Sequence, residues 1–584
     1  MFRVKFVALG LVISGLAAHL QAAEILGPRA QWIPADAAIA LEVGDPKPLL
    51  ELALGPKAVQ AVTSHPLWQL ATFTPQFKQF RQGIDYLESR LDTDWRSGIE
   101  KLLGGGVTLA ATPTGGSLLI VDSRDAKIVE RLHDIVRQWV ETQTGKKDAP
   151  SRVQSSEHQG VTIWSFGPND FHAVMGSRLI VSNRREMLVA ALGLRSAEGK
   201  GSLAKSAAYQ QAMAAVGSKA PVRMFADLAA LRKLTPLGKA LQREENPMAA
   251  LLFGGLAGVL RQSQWLALSL DIQGQRLVLE AMAESKGLSD PGASAFAWPQ
   301  DSSQGAMPLL SVPRPLASLS FYRDLHGFYA AKDKLFPERT SGLIFFENMM
   351  GIFFSGRDLT EEVLAQTLPE IRFVVAAQQY DPTVGTPYVQ IPAFAAIFRL
   401  KNPAAFREVA EEAWQKAVGL VNITRGQKGQ PGLVIDRAEH RGQKYSVAYF
   451  SAAAIEDKKQ VPSFYNFRPA LALAGDRLIV SSTDGLARDL MDAIQKETAS
   501  RVRPVAGAHT LASADLAGVA NILKANRDHL VRQNMLEKGH SKAQAELETD
   551  LFLKVLSYLG QVRVTMDSRQ DRAHATLELD LNLP

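Results

Sequence analysis

The sequence predicts an α+β protein made of two similar tandem modules, which we interpret as an internal duplication. Three short segments occur twice, in the same order and at similar spacing. Predicted strands come mostly as hairpins and pairs with helices between the groups, which favours largely antiparallel sheets with packed helices over a parallel fold. The repeated segments are SEHQG and AEHRG (156–160 and 438–442), LIVS (179–182 and 478–481) and ADLA (226–229 and 514–517).

The domain organisation follows from the length and from one stretch of biased composition. A chain of 584 residues is too long for a single hydrophobic core. We predict a signal peptide at 1–23, a first module at 24–284, a linker at 285–308 and a second module at 309–584. The linker is rich in Gly, Ser, Pro and Ala, as flexible connections are.

The N-terminus has the layout of a secretory signal peptide. Arg3 and Lys5 precede an apolar run at 6–20, and the small residues Ala22 and Ala23 follow it. We therefore expect an exported, periplasmic or extracellular protein. The alternative is that 6–20 stays uncleaved and anchors the protein to the envelope, although a membrane-spanning helix needs roughly 20 apolar residues.

Composition excludes several classes of function. The chain has no cysteine, so it forms no disulfide, no thiolate nucleophile and no Cys-based metal site. Acids and bases are interleaved at a net charge of +6, without a basic stripe carrying aromatic residues, so we expect no nucleic-acid partner. The longest later apolar run, 247–260, is too short to span a membrane and predicts a buried helix.

Each module is predicted to open with an apolar strand that leads into a helix. The strands are 37–43 and 316–322, and Asp45 and Asp324 follow them as helix caps. A pair of strands and a helix come next in both modules. The connection inside that pair is tight in the first module, at 112–116, and longer in the second. The paired strands are 107–111 with 117–121 and 373–377 with 394–400, and the helices are 126–140 and 403–418.

The remaining elements also recur. Gly160 and Gly442 are placed where a hairpin turn is expected, before strands 161–166 and 444–450. The second module has extra residues around 451–469. The LIVS strands, the helices 186–194 and 486–497, the ADLA segments and the closing hairpins 265–270 with 277–281 and 562–566 with 575–581 complete the two modules.

Three segments of the first module resemble exported bacterial proteins of domain-of-unknown-function family 3352. They are IPADAAIALEV at 33–43, SLAKSAAYQQAM at 202–213 and the strand that runs into 226–231. The resemblance implies an extracytoplasmic α+β protein with no established activity, so it assigns no residue a role.

The recurring His–acid pairs are the first candidates for a binding site. They are Glu157–His158 and Glu439–His440, and a carboxylate beside a histidine can tune a base or bind a metal. Adjacent residues on a strand point to opposite faces, however, so one pair cannot chelate easily. The alternative is a polar shoulder before a turn glycine.

Asp227 and Asp515, within the ADLA segments, are the second candidates. Each could line a site at the end of a strand, and each could equally cap the helix that follows. The glycine runs at 104–106 and 426–432 lack the order of a phosphate-binding loop, so we predict loops and no cofactor. His133 and His172 show no metal-ligand spacing, and we predict no metal.

One segment, LIFFENMMGIFF at 343–354, is unusually rich in Phe and Met. Such patches suit contact with a partner or a membrane, and the alternative is a core helix. The predicted contact face consists of Phe345, Phe346, Met349, Met350, Phe353 and Phe354.

The sequence thus predicts a non-enzymatic exported protein that acts by binding an unknown ligand or envelope protein. Its duplication offers two similar surfaces or one cleft between them. The alternative is an extracytoplasmic hydrolase whose active site is assembled from dispersed residues.

Overall fold

The computed structural model describes residues 27–64, 68, 72–142, 153–234, 246–284, 293–299, 301, 303–455, 461–569 and 572–584. The predicted signal peptide and residues 285–292, 300 and 302 of the predicted linker lie outside them. The chain forms two compact units. The first consists of Met1–Ala240, Ser263–Glu284 and Leu583–Pro584, and the second of Leu241–Gln262 and Ser285–Asn582.

The described residues of the first unit form an antiparallel sheet in the order β4-β5-β6-β7-β3-β2-β1-β8-β9-β10. Its strands are β1 Ile39–Val43, β2 Gly106–Ala111, β3 Ser117–Asp122, β4 Gln154–His158, β5 Val161–Gly167, β6 Asp170–Met175, β7 Arg178–Ser182, β8 Val222–Asp227, β9 Trp265–Gln273 and β10 Arg276–Glu284.

Helices cover both faces of this sheet. Ile120 and Ile180 pack with Leu188 of one helix in one core cluster, while Val121 and Val129 belong to a second cluster. Neighbouring residues of β3 thus face opposite layers, as the pleat requires. The helices are α1 Lys47–Leu54, α2 Pro56–Thr63, α3 Pro75–Leu91, α4 Trp95–Leu103, α5 Ala126–Thr142, α6 Arg185–Ser196, α7 Ala207–Val216 and α8 Leu228–Leu231.

The described residues of the second unit form an antiparallel sheet in the order β14-β15-β16-β17-β13-β12-β11-β18-β19-β20. Its strands are β11 Pro315–Tyr322, β12 Thr367–Ala376, β13 Ala393–Leu400, β14 Val434–His440, β15 Gln443–Tyr449, β16 Ala470–Ala474, β17 Arg477–Ser481, β18 Ala508–Asp515, β19 Leu559–Arg569 and β20 Arg572–Leu581.

This sheet too has helices on both faces. Ile397 and Leu490 belong to one core cluster, and Leu400 and Trp414 to another. The helices are α9 Pro247–Gln262, α10 Leu325–Ala330, α11 Lys332–Leu335, α12 Thr340–Phe353, α13 Pro403–Gly426, α14 Asp484–Ala499, α15 Leu516–Ala525, α16 Arg527–Lys538 and α17 Lys542–Ser557. The protein is therefore α+β with antiparallel sheets.

The two sheets have the same strand order, since each strand of the first corresponds to the strand numbered ten higher in the second. Their registers agree as well. Leu118 pairs with Ser182 across β3 and β7, and Ala395 pairs with Ser481 across β13 and β17. Below, positions matched by strand and register are called equivalent.

Helix α9 belongs to the second unit although it lies within the predicted first module. The buried guanidinium of Arg323 donates from Nε to the Leu251 carbonyl oxygen at 2.7 Å and from Nη2 to that of Leu252 at 2.9 Å. Burial lowers the pKa of Arg323 to about 9. Contrary to the prediction of a buried helix, α9 exposes Met248 and Phe253 on its other face. No helix in the described parts of the chain is long and apolar enough to cross a membrane.

Candidate functional site

The His–acid pairs lie at equivalent hairpins. In each hairpin the turn consists of two residues with positive φ, Gln159 and Gly160 or Arg441 and Gly442, as a type I′ turn requires. Glu157 and Glu439 are exposed, and His158 and His440 are half-buried. The repeated glycine thus has a structural explanation in both copies.

His440 has a specific partner as well. Its Nε2 lies 2.8 Å from Oδ1 of Asp492 on α14. The guanidinium of Arg441 lies 3.0 Å from the other oxygen of the same carboxylate. Of the candidates predicted from the sequence, His440 is the one that lines the cleft described below.

Asp227 and Asp515 act as helix caps. Oδ1 of Asp227 accepts from the amide of Ala230 at 2.8 Å, and Oδ1 of Asp515 accepts from that of Gly518 at 3.0 Å. Such bonds satisfy amide groups that the first turn of a helix leaves free. Their recurrence therefore has a structural reason.

The second unit contains a cleft of about 410 Å³. Its walls come from the connection between β12 and β13, the segment between β15 and β16, and the start of α14. The size falls within the range of small-molecule sites. Three arginines line the cleft, Arg314, Arg468 and Arg488. Four aspartates do so as well, Asp381, Asp484, Asp489 and Asp492.

Asn466 joins the two segments that build the wall. Its Oδ1 accepts from the backbone amide of Ile391 at 2.9 Å and from the Tyr380 hydroxyl at 3.0 Å. Its Nδ2 donates to the carbonyl oxygens of Val389 and Ser463 at 2.8 and 2.7 Å. Asn466 is 1% exposed, so water cannot replace these bonds.

A second asparagine holds the loop from outside the cleft. Oδ1 of Asn526 accepts from the Gln390 amide at 2.8 Å, and Nδ2 donates to the Gln390 carbonyl oxygen at 2.7 Å. The loop is therefore fixed at two points by buried amide side chains.

The equivalent place in the first unit is closed. Residues 112–116 make a tight turn, and Arg184 donates to the Thr114 carbonyl oxygen at 2.6 Å. Asn183 accepts from the Ser117 amide at 2.7 Å and donates to the Gly115 carbonyl oxygen at 2.9 Å. Strands β5 and β6 are joined by residues 168–169, whereas 450–469 separate β15 from β16. The cleft therefore depends on two segments that are longer in the second unit.

Asp484 is the most enclosed acid of the cleft. Its Oδ1 accepts from the Tyr445 hydroxyl at 2.5 Å, and its carboxylate oxygens lie 3.3 Å from Nε of Arg468 and 3.5 Å from Nε of Arg488. Burial, together with the bond to Asp484, raises the pKa of Tyr445. The carboxylate thus keeps both arginine side chains at the rim.

Asp489 is half-buried in the cleft wall. Burial raises the pKa of its carboxyl group, and the guanidinium groups of Arg314 and Arg488 oppose that shift. Aromatic rings form another part of the lining: Tyr465 and Phe467 are half-buried there.

The first unit has a buried polar cluster of its own. Nε2 of His133 and Nε2 of His172 lie 3.1 Å apart, and both rings are buried beside Phe166. Burial, together with the electrostatic effects of the neighbouring His172 and Arg137 side chains, lowers the pKa of His133 to about 4. Within the described ranges, no group of three or more His, Asp or Glu side chains could hold a metal ion.

The Phe- and Met-rich segment is helix α12, and its predicted contact face is divided. Phe345 is 71% exposed, and Phe346 and Met349 are also exposed. Met350, Phe353 and Phe354 are half-buried, and Met350 and Phe354 pack against a core cluster. Ile344 and Ile352 complete the exposed side.

The cleft residues Asn466, Asp484 and Asp489 were not predicted from the sequence. The signal that could have led to them is the length of 378–392 and 451–469 relative to the first module. Fold and cleft define an α+β protein with a polar, ligand-sized site in its second unit.

Residues 19–303 match the family described as "Protein of unknown function (DUF3352)", which confirms the resemblance inferred from the sequence. No curated protein matches the chain. Crystal forms I, III and IV of TP0453 are similar to it at 10% identity, with TM-scores of 0.20, 0.20 and 0.21. The matched region covers 44% of this chain and 79%, 78% and 79% of the three TP0453 chains. Values this low carry no functional conclusion.

Proposed function

We propose that this protein is an exported, non-enzymatic binding protein whose second unit holds a small polar ligand in its cleft. One observation carries the proposal. Two segments that are longer in the second unit meet at Asn466 and enclose a cavity, while the first unit closes the equivalent place with Asn183 and Arg184. Buried asparagines hold this wall in place, which suits a preformed site.

We also infer that the two units arose by internal duplication. The shared strand order, the shared register of β3–β7 and β13–β17, and the caps at Asp227 and Asp515 support this inference. A duplicated pair in which one copy acquired longer loops explains why the cleft lies in the second unit, while described residues of the first unit close the equivalent place.

Export is proposed from the N-terminal sequence. The basic residues Arg3 and Lys5, the apolar run and Ala22–Ala23 support a cleaved signal and a periplasmic or extracellular location. The alternative location is at the envelope, with 6–20 retained as an anchor. N-terminal sequencing of the protein from its own cell would distinguish the two, since cleavage leaves a chain that begins near Glu24.

An extracytoplasmic hydrolase is the second candidate, and the pairing of His440 with Asp492 in the cleft favours it. A carboxylate that orients an imidazole is half of a general acid–base system. Among the described residues, no serine or threonine hydroxyl is hydrogen-bonded to the His440 ring. Turnover of an ester, phosphate or glycoside substrate that His440→Ala abolishes would replace the binding proposal with this one.

Substitution of Asn466 tests the cleft directly. Asn466→Ala removes four side-chain hydrogen bonds of the wall, so we expect ligand binding to weaken by about tenfold or more. The readout is native mass spectrometry of the mature protein recovered without detergent, in which bound ligand adds a discrete mass.

Asn526→Ala is the matched control, because it removes two bonds to the same loop from a side chain outside the cleft lining. We expect it to retain most of the bound mass while the loss of two hydrogen bonds lowers stability by a smaller amount. A wild-type protein with no bound mass, or equal losses in both variants, would contradict a binding role for the cleft.

A further inference from the structure

We infer that the cleft of the second unit takes a neutral, hydroxyl-rich ligand of the saccharide class. This inference rests on the proposed function. It is carried by the balance of charge in the lining, by the side-chain groups left for a ligand, and by the aromatic part of the wall.

The charges in the lining nearly cancel. Three guanidinium groups face four carboxylates, and one of those carboxylates, Asp492, is already engaged by His440 and Arg441. A strongly anionic ligand would have to approach Asp489, and a strongly cationic one would have to approach Arg314 and Arg488. Like charges at close range in a partly enclosed site oppose binding of either.

The remaining polar groups suit hydroxyls. Arg468 and Arg488 each place Nε toward Asp484, and their side chains are 51% and 47% exposed, so part of each guanidinium stays available to donate. The half-buried carboxylate of Asp489 is an acceptor in the same wall. A hydroxyl both donates and accepts, so it can join such a donor to such an acceptor without leaving a charge unpaired.

The aromatic side of the lining completes the match. The Tyr465 hydroxyl donates to the Ser451 carbonyl oxygen at 2.8 Å, which fixes its ring at the cleft. Phe467 also lines the cleft. Flat apolar faces next to a few polar groups are how small-molecule sites combine affinity with orientation, and a sugar ring offers both kinds of surface.

Isothermal titration of the mature full chain with glucose, maltose, N-acetylglucosamine and its β-1,4 dimer tests this inference. Glutamate, inorganic phosphate and spermidine are the charged comparisons. We expect at least one saccharide to bind, with a Kd that changes less than about twofold between about 0.05 and 0.5 M NaCl, because salt screens charged ligands far more than neutral ones.

Two substitutions at one position distinguish the ligand classes. Asp489→Asn keeps an acceptor oxygen and removes the charge, so saccharide affinity should fall by less than about threefold, while Asp489→Ala should lower it about tenfold or more. For a cationic ligand, both substitutions would abolish binding. Asp528→Asn is the control, since that side chain is 90% exposed and lies outside the cleft lining.

Each remaining outcome has a defined meaning. A charged ligand that binds and is lost with Asp489→Ala or Asn466→Ala would overturn the saccharide class and leave the proposed function standing. Saccharide binding that neither substitution weakens would place the ligand elsewhere and overturn both. No binding by any of these compounds, together with no mass on the native protein, would also overturn both.

Discussion

The buried guanidinium of Arg178 provides the sharpest test of the architecture of the first unit. Its side chain is 2% exposed, and Nε and Nη2 donate to the two oxygens of Asp122 at 2.6 and 2.8 Å. The guanidinium also donates from Nη2 to the Gly27 carbonyl oxygen at 3.0 Å, and its Cζ lies 4.9 Å from the centroid of the Trp32 ring. Asp122→Ala would leave this cation without its counter-charge.

The expected loss is large because the charge stays buried. Removal of one partner of a buried ion pair costs about 3–5 kcal/mol. Asp122 is 18% exposed, and Arg29 also lies 3.2 Å from it, so some water reaches the site and we expect the lower end, about 3 kcal/mol. Asp122→Asn keeps the shape and should cost less, about 2 kcal/mol.

The assay is urea unfolding of the mature full chain, monitored by tryptophan fluorescence. Trp32 contributes to this signal from the site itself. The matched control is Asp85→Ala, which breaks an Asp–Arg pair of similar length, 2.9 Å, whose side chains are more than half exposed. Its loss should stay below about 1 kcal/mol. If Asp122→Ala costs no more than Asp85→Ala, the burial argument for Arg178 is wrong.

Two further predictions concern the first unit. Because burial lowers the pKa of His133 to about 4 from 6.5, the unfolded chain binds more protons between these values. The free energy of unfolding therefore falls by about 3 kcal/mol as the pH is lowered from 6.5 to 4. His133→Phe removes this titration, so its free energy of unfolding should depend less on pH in that range. A pH dependence parallel to that of the wild type would contradict the burial of a neutral ring. Gly160→Ala should destabilise the protein by about 1 kcal/mol, because φ is +74° at that position. The control is Gly193→Ala, inside a helix, where an added Cβ also meets no atom within 4 Å; it should be neutral or stabilising in the same thermal unfolding assay. Equal effects of the two substitutions would show that the turn does not need glycine.

The sequence predicted well the features that are local. Gly160 and Gly442 need a left-handed backbone, Asp227 and Asp515 cap the next helix, and LIVS forms a strand beside β3 or β13. Each of these roles involves residues that are close in the chain or in a strand register, so a repeated pattern of a few letters suffices to indicate it. Such patterns identify structure more readily than function.

The cleft could not be predicted in the same way. Asn466 is hydrogen-bonded to residues about eighty positions away. Its partners are mostly backbone atoms, which a residue of any type would provide. Arg323 contacts α9 through the carbonyl oxygens of Leu251 and Leu252. Because these partners are backbone atoms rather than an acidic side chain, the sequence gives no sign of the contact. Contacts of this kind become visible once the chain is folded.

The internal duplication proposed above is further supported by how each unit neutralises the arginine that precedes LIVS. Arg178 has Asp122 directly opposite on β3, whereas the position opposite Arg477 on β13 is Arg399. In the second unit Glu370 and Asp476 share the neutralisation. The Glu370 carboxylate lies 3.0 Å from Nε of Arg477 and 3.4 Å from Nη1 of Arg399, and the Asp476 carboxylate lies 2.9 Å from Nε of Arg399 and also pairs with Arg477.

Counted along the strand, Glu370 corresponds to Gly106 of the first unit, since they precede by two residues the positions Arg372 and Thr108, which pair with Ile397 and Ile120. The register between β12 and β13 shifts between Thr367 and Ile371, so Glu370 lies at an irregularity of the second sheet. A Cβ at Gly106 would lie within 2.7 Å of the Arg29 guanidinium, so glycine leaves the space that this second cation occupies beside Asp122. In the first unit, Asp122 lies opposite Arg178 and the next strand has Gly106. In the second unit, Arg399 lies opposite Arg477 and the next strand has Glu370. Linked changes of this kind are expected where two copies of one buried polar site diverged while each kept its charges paired.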